Sequence, residues 1–317
     1  MIKILAVMAG LVAATGASAQ PWPARSIQMV VPYAPGGVVD FIGRTLGQRL
    51  SQQVGQPVVI DNRAGAGGMI GIEYTARSSA DGHTLVIMDP AVVINPSLQE
   101  KPLYEMKDLA TVAWVGSSPL VLTVNPKLPV TDIAQLVQFA KANPGKLNFA
   151  SAGIGTTPHM AGELLKGRAG IDMAHVPYKG AGPAMADLAA GQVQVGFSSI
   201  TGALPFIKDG RLRGLATSGA NRSAALPDLP TFIEAGYAEF EVDLWLGIFA
   251  PANTPAASVA RINAEIRSAL RDGAVVAAFA KVGVEPRSAN PEESARFVRA
   301  EHDKWAQVVT SAKLRVK

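Results

Sequence analysis

Three glycine-rich segments of this sequence carry residue types suited to binding an anion. Each follows an apolar, strand-like run and leads into a stretch with helical periodicity. Glycine lets a ligand approach the backbone amides, and the unpaired N–H groups at a helix start attract negative charge. Because each helix start carries an effective charge of ~+0.5, several of them directed at one cleft would hold a carboxylate without arginine. The first, second and third glycine segments are 34–40 (APGGVVD), 151–159 (SAGIGTTPH) and 178–183 (YKGAGP).

These glycine segments supply our first set of candidate ligand-binding residues. Open α/β sheets bind ligands at the carboxyl ends of their strands, where the segments are expected to lie. Ordinary turns are the alternative interpretation, because short loops between a strand and a helix commonly contain glycine. Hydroxyl groups in the second segment favour an anion site. The candidates are Ala34, Pro35, Gly36, Gly37 and Asp40 in the first segment, Ser151, Gly153, Gly155, Thr156, Thr157 and His159 in the second, and Lys179 and Gly180 in the third.

A fourth glycine-rich stretch, 62–71 (NRAGAGGMIG), is similar to a dinucleotide-binding turn. It follows a predicted strand and opens a predicted helix, and Asp89 ends the next strand about where a ribose-binding acid would stand. Counted from Gly65, however, the third glycine position of the fingerprint holds Ile70. We therefore predict no cofactor and interpret this stretch as a turn that supports the cleft.

Enzymatic alternatives centre on the second segment. His159 and Glu163 are four residues apart on a predicted helix, a spacing that can serve a metal, but no third ligand is evident. Ser151 and His159 could act as nucleophile and base, but the sequence has no Gly-x-Ser-x-Gly elbow and no evident orienting acid. We predict a capping or cleft-lining role for His159 and no enzyme, with a secreted hydrolase as the weaker alternative. No cluster is expected around the other histidines, His83, His175 and His302.

The elements that position these segments alternate between strand-like and helical patterns, which predicts an α/β fold. Near the C-terminus, Thr254-Pro255 and Asn290-Pro291 each predict a cap followed by the first residue of a helix. No strand between these helices is long enough to form a separate sheet, so we expect them to pack back on the first domain. The predicted strands are 27–31, 57–60, 84–88, 121–125, 147–150, 193–197 and 212–217, and the predicted earlier helices are 38–54, 69–77, 130–142 and 158–168.

This pattern predicts two domains, since a chain of this length is too large for one ordinary core. The chain would cross between them twice, near 121–125 and 239–246, and the two crossings would hinge the domains around a cleft. The expected boundaries are domain 1 at 20–123 plus 243–317, and domain 2 at 124–242.

The first residues predict an exported protein. Lys3, the apolar run 4–16 and the small residues up to Ala19 form a signal peptide, residues 1–19, with cleavage after Ala19. The sequence has no cysteine, which excludes disulfides, thiolate metal sites and a lipid anchor at the cleavage site. Lys and Arg number 29 against 25 Asp and Glu, which mildly favours an anionic partner. No basic run or basic-aromatic stripe is present, so we expect no nucleic-acid partner.

Over nearly all of the mature chain, the sequence resembles the tripartite tricarboxylate transporter substrate-binding family, also called the Bug family. The resemblance implies a type II periplasmic-binding-protein fold, in which two α/β domains joined by two crossing strands close like a Venus flytrap on a carboxylic acid. It is carried by the runs 27–40, 61–68, 143–151, 175–180, 187–188 with 191–193, and 226–231.

The resemblance also implies partners and a location. The first segment would grip one end of a small organic anion, and the second would grip its carboxylate through backbone groups. The loaded protein, a monomer in the periplasm, would deliver this solute to membrane permease subunits. A membrane sensor kinase is the alternative partner.

Two departures from the family pattern add candidate residues. After the third strand, relatives often show small hydroxyl residues and a Thr-His pair, where this chain has Asp89 and Pro90. After strand 193–197, relatives commonly place an Asp or Asn near the ligand, where this chain offers Ser198 and Thr201. These changes would alter which distal ligand group is recognised, and Asp89 could disfavour a second carboxylate or bind an ammonium or hydroxyl group.

Overall fold

A computed structural model describes residues 22–178, 180–238 and 240–315. Within these residues the chain forms ten strands and ten α-helices. The strands are β1 (Ile27–Val31), β2 (Val58–Asn62), β3 (Thr84–Met88), β4 (Leu109–Val124), β5 (Leu147–Ser151), β6 (Met173–Pro177), β7 (Val195–Ser199), β8 (Arg213–Thr217), β9 (Asp243–Pro251) and β10 (Glu285–Pro286). The helices are α1 (Val38–Val54), α2 (Met69–Ala76), α3 (Ala91–Leu98), α4 (Ile133–Ala142), α5 (Thr157–Ala169), α6 (Ala181–Ala190), α7 (Ile200–Lys208), α8 (Ala256–Ala269), α9 (Gly273–Lys281) and α10 (Pro291–Ser311).

The first half of the fold is built on the strand order β2-β1-β3-β9-β4. β1 is parallel to both β2 and β3, so the loops that follow these three strands leave the sheet at one edge. β9 is antiparallel to β3 and to the first part of β4, and β10 also pairs with β4. The first glycine segment follows β1, and Asp89 follows β3, at this common edge.

The second half of the fold has a similar arrangement. Its strand order is β6-β5-β7-β4, and β8 pairs with the other side of β4. β5 is parallel to β6 and β7. The second and third glycine segments and Ser199 follow these strands, so they share one edge of the second sheet. The molecule therefore has two α/β lobes joined by the crossing strands β4 and β9, which confirms the predicted fold class.

The two crossings are tied together by Ser218, a fully buried residue just after β8. Its hydroxyl accepts from the backbone N–H of Leu120 at 2.8 Å and donates to the carbonyl of Val242. The backbone of Ser218 also pairs with Leu120 at 2.9 Å and with Val242 at 3.2 Å. One residue of the second lobe thus joins both strands of the hinge.

The first crossing begins earlier than predicted. The sequence predicts a strand at 121–125, whereas β4 is continuous from Leu109. The composition of the stretch from Gly116 to Pro119 is typical of a turn. In the structure this stretch pairs with β9, next to a register shift between the two strands. A side chain at 116 would collide with Val284, since an added Cβ would lie 2.6 Å from its Cγ1. Glycine at this position therefore serves close packing within the strand and not a turn.

The C-terminal helices pack against the first half of the fold. α8 lies against α1 and β4, and α10 lies against α3 and β4. Trp245 on β9 and Trp305 on α10 are both fully buried, and their indole N–H groups donate to Glu301 at 2.8 and 3.0 Å. In the described part of the chain, none of the helices combines the length and apolar character of a bilayer-spanning segment.

Candidate functional site

The second glycine segment forms the turn between β5 and α5. Gly153 and Gly155 have φ values of +135° and +77°, in the region that side chains disfavour. Gly180 of the third segment donates its N–H to the carbonyl of Ala152 at 3.1 Å, and Tyr178 donates to that of Ser151 at 3.0 Å. The second and third segments are therefore neighbours, joined by backbone hydrogen bonds.

Two stacked histidines support the second segment from inside the lobe. The rings of His159 and His175 lie 3.9 Å apart, and His175 also stacks on Phe149 at 4.8 Å. Nδ1 of His159 accepts the N–H of Gly155 at 3.1 Å, and Nε2 of His175 lies 2.7 Å from the hydroxyl of Ser151. The expectation that no histidines cluster was wrong, because the parallel register of β5 and β6 places His175 beside Phe149.

Burial keeps both of these imidazoles neutral. It lowers the pKa of His159 to about 3, with smaller contributions from His175 and Lys166. It also lowers the pKa of His175 to about 4, again assisted by Lys166. The support beneath the second segment therefore carries no positive charge at neutral pH.

Ser151 and His159 are placed differently from their expected roles as ligand contacts. Ser151 is fully buried and His159 is 3 % exposed. The hydroxyl of Ser151 and Nδ1 of His159 are engaged within the segment and its support, so both residues shape the loop from behind. The same burial removes the hydrolase arrangement, since the hydroxyl of Ser151 pairs with His175 instead of His159 and Ser151 is not accessible to a substrate.

The metal alternative finds no support in the geometry. Glu163 is paired with Lys166 at 3.0 Å. No group of three or more His, Cys, Asp or Glu side chains that could hold a metal ion occurs among the described residues.

The start of α5 leaves backbone donors available to a ligand. In the described structure, the N–H groups of Ile154, Thr157 and His159 have no acceptor. Pro158 has no N–H, and Thr156 uses its hydroxyl to donate to the carbonyl of Gly153 at 2.7 Å. Ile154 is 53 % exposed at the tip of the turn. The second segment thus presents free amides at the positive end of a helix.

The first glycine segment is supported by an ionised side chain instead. Ala34 to Gly37 are exposed, whereas Asp40 is 4 % exposed. The carboxylate of Asp40 accepts from Gly36 N–H at 3.0 Å, from Arg44 at 3.0 Å and from Asn62 at 2.9 Å. Burial raises the pKa of Asp40, but these three hydrogen bonds outweigh it and lower the pKa below its usual range. Asp40, expected as a ligand contact, therefore holds the segment from inside and consumes the Gly36 amide.

Asp89 occupies the end of β3 at the same edge. The hydroxyl of Tyr33 lies 3.1 and 3.0 Å from its two carboxylate oxygens, and the N–H of Ala91 donates to Oδ1 at 3.0 Å. Desolvation raises the pKa of Asp89, and the hydrogen bonds from Ala91 and Tyr33 only partly offset it. Pro90 is buried and precedes the first turn of α3.

The two lobes touch through residues at these edges. A Cβ added to Gly155 would lie 2.9 Å from Leu98 Cδ2 and 3.2 Å from Asn95 Oδ1, both on α3. On the other side of the interface, Thr201 donates its hydroxyl to the carbonyl of Val282 at 3.2 Å. The carboxyl ends of the strands in the two lobes therefore face each other across one interface.

The family follows from a sequence comparison. A family model described as the tripartite tricarboxylate transporter family receptor matches residues 42–314. The chain belongs to this family. This receptor is a solute-binding protein and not an enzyme, and its family consists of periplasmic binding proteins.

Individual relatives agree with the family assignment. The receptor is 40% identical to the protein BugT of Bordetella pertussis over 324 residues, which cover 99% of each chain. It is 34% identical to an R. palustris protein whose solved structure contains adipate, with a TM-score of 0.80 over 92% of this chain and 98% of that one. It is 31% identical to MatC of Rhodopseudomonas palustris with bound malate, with a TM-score of 0.77 over 91% and 100% of the two chains.

The remaining candidates of the receptor are placed as follows. Ser198 is 3 % exposed, and its hydroxyl donates to the carbonyl of Ser199 at 3.2 Å. Ser199 caps α7 by accepting the N–H of Gly202 at 3.3 Å. Lys179 and the cleavage position after Ala19 lie outside the described residues.

Sequence reasoning missed three residues that shape the site of this receptor: Tyr33, Asn95 and His175. Tyr33 immediately precedes the first segment, a position that could have suggested a role. Asn95 donates to the carbonyl of Gly67 at 3.0 Å, so the fourth glycine-rich stretch supports α3. Only the pairing of distant strands reveals the role of His175.

A separate cavity of about 640 Å³ lies between α5 and α10. Two of its three basic residues, Lys166 and Lys304, are paired with Glu163 and Glu301. None of the candidate site residues lines it, so we assign the ligand to the interface between the strand edges and not to this cavity.

Proposed function

We propose that this receptor captures a small organic carboxylate between its lobes, mainly through backbone amides, and delivers it to membrane permease subunits. The observation that carries the proposal is the start of α5. There the free N–H groups of Ile154, Thr157 and His159 point to an anion, and neutral imidazoles support the turn from behind. A helix start in a desolvated interface can stabilise a carboxylate without a basic side chain.

The relatives support the same ligand class. Two related proteins have solved structures with adipate and malate, which are both carboxylates. Their chains align with more than nine-tenths of this one. We extend the ligand class, but not the named ligands, to this receptor.

Thermal unfolding of ligand-free receptor against a panel of mono-, di- and aromatic carboxylates tests the proposal. A ligand present at 100 times its Kd stabilises the folded state by about 2.7 kcal/mol, so a true ligand should give a clear shift in Tm. The primary amides of the same acids serve as controls and should give no comparable shift. If no carboxylate stabilises the ligand-free receptor, the proposal is wrong.

The partner and the maturation of the receptor are also proposals. The family description names a tripartite transporter, which favours permease subunits over a sensor kinase as the partner. Pull-down of loaded receptor with permease and sensor fragments should retain the permease fragment. We further propose export with cleavage after Ala19, and domain boundaries at 123/124 and 242/243. Intact mass of the mature protein should correspond to a chain that begins at Gln20.

A further inference from the structure

Asp89 is a carboxylate for which the described part of the chain supplies no cationic partner. Its oxygens accept hydrogen bonds from the Tyr33 hydroxyl and the Ala91 N–H, which are both neutral donors. Among the described residues, no lysine, arginine or histidine forms an ion pair with it. The residue as a whole is intermediate in exposure, although its carboxyl group is desolvated. A charge held in this way is costly, and such groups concentrate at functional sites.

The only charge-complementary feature beside Asp89 in the described structure is the start of α3, where it accepts the N–H of Ala91. Among the described residues, the titratable groups around it are Tyr33 and Tyr104, and Tyr104 donates its hydroxyl to the carbonyl of Val92 at 2.8 Å and not to Asp89. After desolvation, the nearby Asp89 charge is the next cause that raises the pKa of each tyrosine. The first lobe thus presents negative potential at the end of β3.

Asp89 lies just before α3, the helix of the first lobe that the second segment approaches. It precedes α3 by two residues, and Gly155 meets α3 at Asn95 and Leu98. A ligand held by the second segment at this contact would therefore meet the first lobe at α3, the helix that begins two residues after Asp89.

We propose that Asp89, oriented by Tyr33, binds the distal end of the ligand and selects carboxylates whose other end is a hydrogen-bond donor. An ammonium group is the preferred donor, followed by a hydroxyl or amide. A second carboxylate is disfavoured there, because it adds a like charge to a site that offers an acceptor. This inference rests on the proposed binding of the first carboxylate at the second segment.

Calorimetric titration of ligand-free receptor with matched straight-chain carboxylates of four to six carbons tests the inference. The chains end in ammonium, hydroxyl, methyl or a second carboxylate. We expect the ammonium-ended acids to bind at least tenfold more tightly than the dicarboxylates of equal length. In Asp89→Asn that preference should fall at least tenfold, through weaker binding of the ammonium series and tighter binding of the dicarboxylates.

The dependence on pH gives a second readout. A bound ammonium group favours ionised Asp89, so affinity for that series should fall as pH is lowered and Asp89 takes up a proton. Affinity for dicarboxylates should rise over the same range, until the ligands themselves protonate. Methyl-ended acids report any change at the second segment and provide the correction for both series.

Two further variants keep the test decisive. Asp81→Asn, at the opposite end of β3, is the matched control and should leave the preference unchanged. Asp89→Ser replaces Asp89→Asn if thermal melts show that the latter is unfolded. Wild-type receptor that binds dicarboxylates as tightly as ammonium-ended acids overturns the inference, as does a preference that persists without Asp89. Failure of every carboxylate to bind contradicts the proposed function instead.

Discussion

The first and second glycine segments have similar sequences but opposite electrostatic support. In the first, the ionised Asp40 accepts the N–H of Gly36 and is held by Arg44 and Asn62. In the second, the neutral ring of His159 accepts the N–H of Gly155. No carboxylate bonds to the second segment in the part of the chain that the structure describes.

This difference in support indicates that the two glycine segments do not bind an anion equally well. A buried carboxylate consumes an amide and offsets the positive potential of its helix start, so the first segment is a poor anion site. A neutral acceptor satisfies an amide without that cost. We therefore expect the second segment to provide most of the grip on an anion and the first segment to shape the cleft.

The largest expected effect comes from Gly155→Ala. Its φ of +77° is unfavourable for alanine, and the new methyl group would meet the buried Leu98 at 2.9 Å. We expect affinity for carboxylates to fall at least tenfold, which corresponds to about 1.4 kcal/mol, because the lobes can no longer approach at this point. Calorimetric titration measures the loss.

Gly167→Ala, on the helix α5 that follows the second segment, is the matched control. An added Cβ there meets nothing within 4 Å, so the folded state should become more stable by roughly 1 kcal/mol from helix propensity alone. Its affinity should equal that of the wild type. Equal losses in the two variants would show that α5 tolerates no change, and would remove the special role of the second segment.

As the pH falls, the histidines beneath the second segment should lose their contribution to stability before Asp40 of the first segment does. The folded pKa values of His159 and His175, about 3 and about 4, lie below the unfolded value, so their stabilising contribution is complete above pH 6.5 and declines as pH falls. For each imidazole the loss by pH 5 is up to about 2 kcal/mol. Asp40 has a lowered pKa, so its contribution persists until the pH falls below 4.

Urea unfolding at pH 7 and pH 5 checks this prediction. His175→Gln retains a partner for Ser151 and should lose less stability between the two pH values than the wild type. Asp243, whose pKa is raised to about 6 mainly by burial, acts in the opposite direction and is common to both proteins. His302→Gln, a substitution of a partly exposed histidine on α10 that does not contact the second segment, is the control and should behave as the wild type does. A variant at 175 with the full wild-type pH dependence would contradict the role of the stacked pair.

The smallest effect is expected for Asp40→Asn. The amide can still accept a hydrogen bond, but half-exposed Arg44 loses its ionic partner, which should cost about 1 kcal/mol of stability. Removing the negative charge should tighten carboxylate binding about two- to fivefold. The gain is small because solvent screens the repulsion between Asp40 and an anion bound at the second segment. Weaker binding, measured by titration at low salt, would show that the first segment contributes directly to the grip.

Much of the fold could be predicted because its signals are local. The alternation of apolar strands and periodic helices gave the α/β class, and the proline caps placed α8 and α10. The long strand β4 was only partly predicted, because the turn-like stretch from Gly116 to Pro119 is extended through its pairing with β9. Such tertiary pairing leaves no local signature.

The limit of prediction from local sequence signals is clearer in the candidate site. Glycine and hydroxyl residues identified the loops, yet the direction in which each polar side chain points depends on its partners. Asp40 points inward because Arg44 and Asn62 are there, and Ser151 points inward because β6 brings His175 beside it. Neither partner could be paired with its residue from spacing along the chain.

The position of β9 between β3 and β4 has a consequence for how the chain folds. β9 comes from residues 243–251, whereas the second sheet draws β5 to β8 from within residues 147–217. As the chain emerges from its N-terminus, the second sheet has all of its strands while the first still lacks one from its middle. Contacts between distant parts of a chain form late, because loop closure costs entropy before the contacts compensate for it. A chain that stops before residue 243 would therefore carry one finished sheet beside one that is open at its centre.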